Sequence, residues 1–220
     1  MDILFEDDYL LVINKPAGLS TESGAASHPS AETEAMQYHA LRMAAQRGAQ
    51  KFQPKTYLRA VHRLDRASSG VLVFAKSKSA LTQLMGQFER KEIKKTYWAL
   101  VEAAPERPSA RLCHFHKKTE DGRKAMVSDR NEAGSQLCEL SYQWLKSRDN
   151  GQALLEVTPA TGKFHQIRAQ LAFVGCPIVG DVLYGAKALN AHEIKLHALR
   201  LELKHPVSEE VVVFVAEVGW

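Results

Sequence analysis

Residues 60–76 read Ala-Val-His-Arg-Leu-Asp-Arg-Ala-Ser-Ser-Gly-Val-Leu-Val-Phe-Ala-Lys. The stretch has three parts. A charged block comes first, with His62, Arg63, Asp65 and Arg66. The turn residues Ser68, Ser69 and Gly70 follow, and an apolar run of strand length then closes at Lys76. A carboxylate between two arginines, on a loop held by a strand that reads as buried, is a suitable place for chemistry. The same pattern also describes a solvated charge cluster at a strand entrance. On this stretch alone both readings stand.

Working outward, residues 3–5 and 10–13 read as short strands joined at a hairpin-like turn. Asn14-Lys15-Pro16-Ala17-Gly18 then makes a tight turn, because Pro16 fixes φ and Gly18 permits a positive one. Residues 21–29 form a small-residue loop and residues 49–55 a polar linker. Between them a helix is expected over residues 30–47, capped by Ser30, with a thin apolar face of Met36, Ala40, Met43 and Ala44. Beyond Lys76, Ser77 or Ser79 caps a second helix whose core stripe is Leu81, Leu84, Met85 and Phe88. Residues 96–101 are a strand, and alternation puts Lys95, Tyr97 and Ala99 on one face. Lysines beside Tyr97 and Trp98 are the basic and aromatic mixture that looped RNA favours. They equally fit helix-end charge followed by ordinary strand aromatics.

Strands are expected at residues 111–118, 138–144 and 154–157, the last two joined by the Asp149-Asn150-Gly151 turn. Alternation puts His114 and His116 on one face and Cys113 on the other. With no partner motif of metal-ligand spacing, these histidines read as satisfied strand residues. Residues 158–171 form the second informative stretch. Phe164, Ile167, Leu171 and Val174 make a helical stripe that Gly175 and Pro177 end, and His165 and Arg168 share a face at i and i+3. The Thr161-Gly162 turn opens that helix, where backbone N–H groups can meet an anion. Residues 196–203 and 210–218 are closing strands. Strands outnumber helices and are mostly joined by short turns, which predicts an α+β fold with a largely antiparallel sheet.

The 220 residues suit one domain over 1–220. A net charge of +4 permits a nucleic-acid partner without demanding one. Three scattered cysteines make no disulfide framework. No apolar run is long enough to cross a bilayer, so no membrane role is expected, and the N-terminal residues lack the pattern of a signal peptide, which points to the cytoplasm. There is no Walker A motif, no dinucleotide fingerprint, no nucleophile elbow and no kinase motif set. Carboxylate chemistry by Asp65 and pure RNA binding remain.

Several segments together resemble the RluA-type RNA pseudouridine synthases. Residues 14–18 are similar to the family's N-K-P-x-G motif, and residues 62–70 to its H-R-L-D-x-x-[TS]-S-G motif. Residues 95–99 resemble its K-x-Y-x-A segment. Thr161-Gly162 with His165-Gln166-Ile167-Arg168 resembles T-G-R-x-H-Q-[IL]-R, and residues 177–185 and 196–198 fit the C-terminal pattern. The resemblance implies one catalytic domain, a long, bent, mostly antiparallel sheet with flanking helices and a central cleft. No separate RNA-binding domain of the kind many relatives carry is expected. The implied reaction isomerises a uridine in structured rRNA or tRNA, with no metal and no organic cofactor, and the chain is expected to act as a monomer.

The implied roles follow residue by residue. Asp65 is the catalytic carboxylate, Tyr97 stacks on the flipped base, and Arg168 pairs with Asp65 and keeps it ionised. Arg63 enters the RNA stack. His62, Asn14, Lys15, Lys95, Lys163 and His165 contact RNA. Lys163 stands where arginine is usual, Gln170 where histidine is frequent and Ser68 where threonine is frequent. Three roles for the carboxylate are open: attack at the sugar C1′, removal of a sugar proton, or addition to the uracil ring. The competing readings are a non-catalytic RNA-binding protein that keeps the fold and a glycosidase that releases the base.

Overall fold

The computed structural model describes residues 1–22, 29–47, 57–189 and 193–220. Most of the loop expected at 21–29 and the whole linker at 49–55 lie outside these residues. No described helix is long and apolar enough to cross a membrane. The chain divides into two compact units, one formed by Met1–Lys94 with Leu199–Trp220 and the other by Lys95–Ala198.

The first unit begins with the hairpin of β1 (Asp2–Glu6) and β2 (Leu10–Lys15), whose turn is fixed by Asp7 Oδ1 accepting from the backbone N–H groups of Tyr9 and Leu10. Helix α1 (Ala31–Arg47) follows, then β3 (Arg59–Ala60), β4 (Ser69–Ala75) and α2 (Lys78–Glu89). Antiparallel pairing places Leu10 opposite Ala75 and Lys15 opposite Gly70. The β4 run is buried on both faces, as its unbroken Val-Leu-Val-Phe-Ala sequence requires. β10 (Leu196–Lys204) enters from the second unit and pairs with β11 (Val211–Val215). Leu10, Val12, Val73, Leu84, Leu201 and Phe214 share one core.

Ser77 is the cap of α2, its Oγ accepting from Ala80 N–H at 3.1 Å. The expected stripe on that helix is corrected at one place: Met85 is exposed and Gln87 is buried. Gln87 tolerates burial because its amide donates to Lys204 O and accepts from Lys204 N–H. Ser30 caps α1 as expected, in a reciprocal pair with Thr33. The buried face of α1 is Ala31, Ala35 and His39 at strict i, i+4 spacing rather than the methionines, which are only half-buried, or Ala44, which is exposed.

The second unit holds most of β5 (Lys94–Val101), then β6 (Ser109–Lys118), β7 (Ala125–Ser128), β8 (Gln136–Ser147) and β9 (Ala153–Pro159). Their hydrogen-bonded order is β5-β9-β8-β6-β7, and every pairing is antiparallel. The turn before β9 uses Gly151 at φ +85°, which explains its Asp-Asn-Gly sequence. Cys138, Leu140 and Tyr142 of β8 alternate inward, as read. Helix α3 (Gln166–Phe173) packs on this sheet, and the 3-10 turn Val182–Tyr184 follows it. The α+β class and the antiparallel pairing are thus as the sequence predicted.

Candidate active site

In the first unit, Asp65 lies half-buried on the loop between β3 and β4. The segment after β2 fixes that loop at two points. Gly18 N–H donates to Arg66 O at 2.8 Å while Arg66 Nε donates to Gly18 O at 2.9 Å. Thr21 Oγ1 donates to Leu64 O at 2.9 Å and accepts from Leu64 N–H at 3.0 Å. Ser68 N–H closes the turn onto Asp65 O. The carboxylate therefore sits on a backbone held from both sides, one residue from each clamp. Thr21 carries no motif signature, and nothing local in the sequence marks it.

Lys15 corrects one expectation. It has no exposed surface, so it offers nothing to a phosphate. Its Nζ donates to Pro16 O at 2.8 Å and Leu19 O at 2.7 Å, bracing the inside of its own turn. Burial pushes its pKa down to about 8, against an upward pull from the negative charge of Asp65. A lysine with a depressed folded pKa costs stability where it must be charged, and that cost is relieved as pH rises from about 8 towards 10.5. Unfolding free energy of the wild type should rise over that window by up to about 3 kcal/mol more than that of Lys15→Met. Urea titrations of both proteins at pH 7.5 and 10.5 read the difference, and parallel pH dependence would show that the ammonium carries no such cost.

The other expected RNA contacts on this unit differ among themselves. Arg63 is exposed, as a wedge must be. His62 is half-buried, its Nε2 accepting from Val73 N–H at 3.3 Å and its ring 5.5 Å from that of Phe88, so it supports the loop from within. The Asn14 amide is engaged across the hairpin with Asp2 Oδ2 at 3.1 Å.

In the second unit Tyr97 is half-buried on β5, opposite Val157 of β9. Lys95 is half-buried near the Thr161-Gly162 turn: a Cβ at Gly162 would lie 3.6 Å from its Nζ. Burial lowers the Lys95 pKa. Lys163 Nζ donates to Gln136 Oε1 at 2.6 Å. The turn is built from beneath by Gln166, whose Oε1 accepts from Thr161 Oγ1 and Lys163 N–H and whose Nε2 donates to Glu139 O and Gln170 Oε1. Gln170 in turn donates towards His114 Nδ1 at 3.1 Å, while His116 Nε2 lies 2.7 Å from Phe164 O. Both strand histidines are thus satisfied within the fold.

His165 does not share a helix face with Arg168. It is the residue before α3, in the left-handed region at φ +50°, with its ring stacked on Phe164 at 3.8 Å and its Nδ1 3.2 Å from Tyr184 Oη. Arg168 is buried. Its Nε and Nη2 donate to Asp181 Oδ2 and Oδ1 at 2.7 and 2.8 Å, a bidentate pair in which the carboxylate is 1% exposed. The Arg168 guanidinium also lies over the Tyr184 ring, 5.1 Å from its centre. Gly180 at φ +87° makes the turn that delivers Asp181, where a Cβ would come within 2.7 Å of Glu193 O. Asp181 is the residue that sequence reasoning left without a role. Its signal was a single carboxylate in an otherwise apolar Ile-Val-Gly-Asp-Val-Leu run.

In the first unit, a loop-borne carboxylate that interacts electrostatically with a buried lysine is suited to catalytic chemistry. The comparisons with known proteins agree. The family model described as RNA pseudouridylate synthase matches residues 9–173. The chain belongs to that family, in its RluA-type branch. Among its relatives, the ribosomal large subunit pseudouridine synthase C of Rickettsia felis is 33% identical over 207 residues, covering 93% of this chain. The RNA pseudouridine synthase YhcT of Bacillus subtilis is 32% identical over 214 residues, covering 97% of this chain and 67% of its own length. The solved structure of human RNA Pseudouridylate Synthase Domain Containing 4 superposes with a TM-score of 0.76 at 27% identity, covering 99% of this chain and 88% of that one. The chain spans 63% of the length of the Rickettsia felis relative.

Proposed function

We propose that this chain is an RNA pseudouridine synthase that converts a uridine of large-subunit rRNA to pseudouridine. The observation that carries the reading is Asp65, held on a loop clamped by Gly18 and Thr21, in a chain whose family is that of these enzymes. The rRNA substrate rests on the printed names of relatives that modify the ribosomal large subunit.

The reaction breaks the C1′–N1 glycosidic bond, turns the uracil and rejoins it through C5. The nucleotide must leave its stack, since its sugar and ring are otherwise covered. Arg63, exposed beside Asp65, is assigned the wedge, and Tyr97 the platform for the flipped base. Arg168 is assigned to Asp65 as the cation that keeps the carboxylate ionised, and Asp181 fixes how that guanidinium points. Lys95 and Lys163, beside the Thr161-Gly162 turn, are assigned to RNA phosphates. The test is to incubate the protein with transcribed large-subunit rRNA, and with tRNA in parallel, and to separate the nucleosides after digestion. Pseudouridine in the rRNA supports the reading, modification of tRNA alone moves the substrate, and release of free uracil would favour a glycosidase. No modified nucleoside on either RNA sinks it.

A further inference from the structure

Several cations of the chain are matched to carboxylates, as Arg42, Arg59, Lys76, Lys94, Arg111 and Arg200 are. The β6–β7 hairpin departs from this. Lys117, Lys118, Arg123 and Lys124 fall within eight residues, and no carboxylate side chain pairs with any of them among the described residues. Of the acids nearby, Asp121 accepts from Thr119 Oγ1 and Arg123 N–H inside the turn, Asp129 lies 3.6 Å from His114, and Glu120 is exposed and makes no ion pair with any of the four.

Two of the four cations are held in place by aromatic rings. Lys118 Nζ lies 4.8 Å from the centre of the Phe164 ring, and Lys124 Nζ lies 5.0 Å from that of Tyr184. A ring face attracts an ammonium without cancelling its charge. The hairpin backbone is itself braced, since Thr119 and Lys124 exchange hydrogen bonds and Tyr184 Oη accepts from Ala125 N–H at 2.8 Å. The Tyr184 ring that carries Lys124 also carries Arg168.

We infer that Lys118 and Lys124 form a phosphate-binding edge that grips the RNA backbone beside the nucleotide undergoing reaction. The inference rests on the reading of the protein as an RNA-modifying enzyme. Aromatic support keeps two positive charges oriented, at no cost in neutralisation, next to the arginine assigned to the reaction. An RNA backbone presents repeated anions of the kind such a pair fits, and its contacts are sequence-independent.

The probe is a labelled 20-nucleotide oligouridylate, bound by the full chain over a series of salt concentrations, which requires no turnover. Each phosphate contact contributes about 0.7 to the slope of log affinity against log salt for a single strand. Lys118→Gln/Lys124→Gln should therefore flatten the slope by about 1.4 and weaken binding about tenfold near 0.1 M salt. Lys118→Arg/Lys124→Arg should keep the wild-type slope, and Lys146→Gln, at the far end of β8, should also leave it unchanged. A wild type that fails to bind, or a double glutamine variant with an unchanged slope and intact thermal unfolding, overturns the inference. Should the slope flatten while rRNA remains unmodified, the phosphate edge stands and only the assigned reaction falls.

Discussion

Asp65→Asn should form no detectable pseudouridine, a loss of more than about a thousandfold, while keeping the wild-type thermal unfolding midpoint within a few degrees. The substitution preserves side-chain shape and removes only the anion. The loop does not depend on that anion for its position: its anchors are Gly18 with Arg66, Thr21 with Leu64, and the Ser68 turn onto a backbone carbonyl. RNA affinity should change less than turnover, since removing a negative charge near a polyanion does not weaken attraction. There is also an internal reporter. The charge on Asp65 raises the Lys15 pKa against the downward pull of burial, so Asp65→Asn should move the titration of Lys15 below about 8. Retained pseudouridine formation would remove Asp65 from the mechanism. An unfolded variant would instead assign it a structural role.

The second large effect is expected at Asp181. Asp181→Ala leaves the Arg168 guanidinium buried without the carboxylate that takes two of its N–H groups. Breaking a buried pair from one side costs about 3–5 kcal/mol, far more than losing a surface ion pair. For a chain of this size that is a fall of about 10 °C in unfolding midpoint. Activity should fall as well, because an arginine without its fork partner is no longer aimed. Replacing both members, as Arg168→Met with Asp181→Leu, should recover most of the stability and none of the activity. That split separates a positioning role from a merely structural one. A midpoint for Asp181→Ala within about 2 °C of wild type would show that Arg168 is oriented by other groups.

Much of this was legible where the information is local. The hairpin turns at 6–8 and 149–151, the Ser77 and Ser30 caps, and the alternation of β8 are each decided by residues within a few positions of one another. So was the local form of the Asp65 loop, since its charged block, turn residues and buried strand are contiguous. What escaped were polar groups whose partners lie far along the chain. Gln87 reads as surface until Lys204 supplies two backbone partners. Lys15 reads as an RNA contact from its place in the Asn-Lys-Pro-Ala-Gly turn, but it is buried, and the carbonyls of its own folded turn make that burial tolerable. His165 was placed on a helix face by its spacing, but a left-handed backbone removes it from the helix. Arg168 and Asp181 are thirteen residues apart across a helix end and a glycine turn, a separation that no periodicity reports.

The division of the chain has a bearing on how the protein is made. The unit that carries Asp65 is discontinuous, with Leu201, Leu203, Phe214 and Ala216 completing a core begun by Leu10, Val12 and Val73. A chain emerging from the ribosome thus displays the Asp65 loop well before residues 199–216, the strands that bury its supporting sheet, have been made. The intervening unit, Lys95–Ala198, is continuous apart from its boundary strands and can settle first. Long-range closure of this kind slows folding. It also means that the support of the Asp65 loop is complete only after Leu201, Leu203, Phe214 and Ala216 have been made.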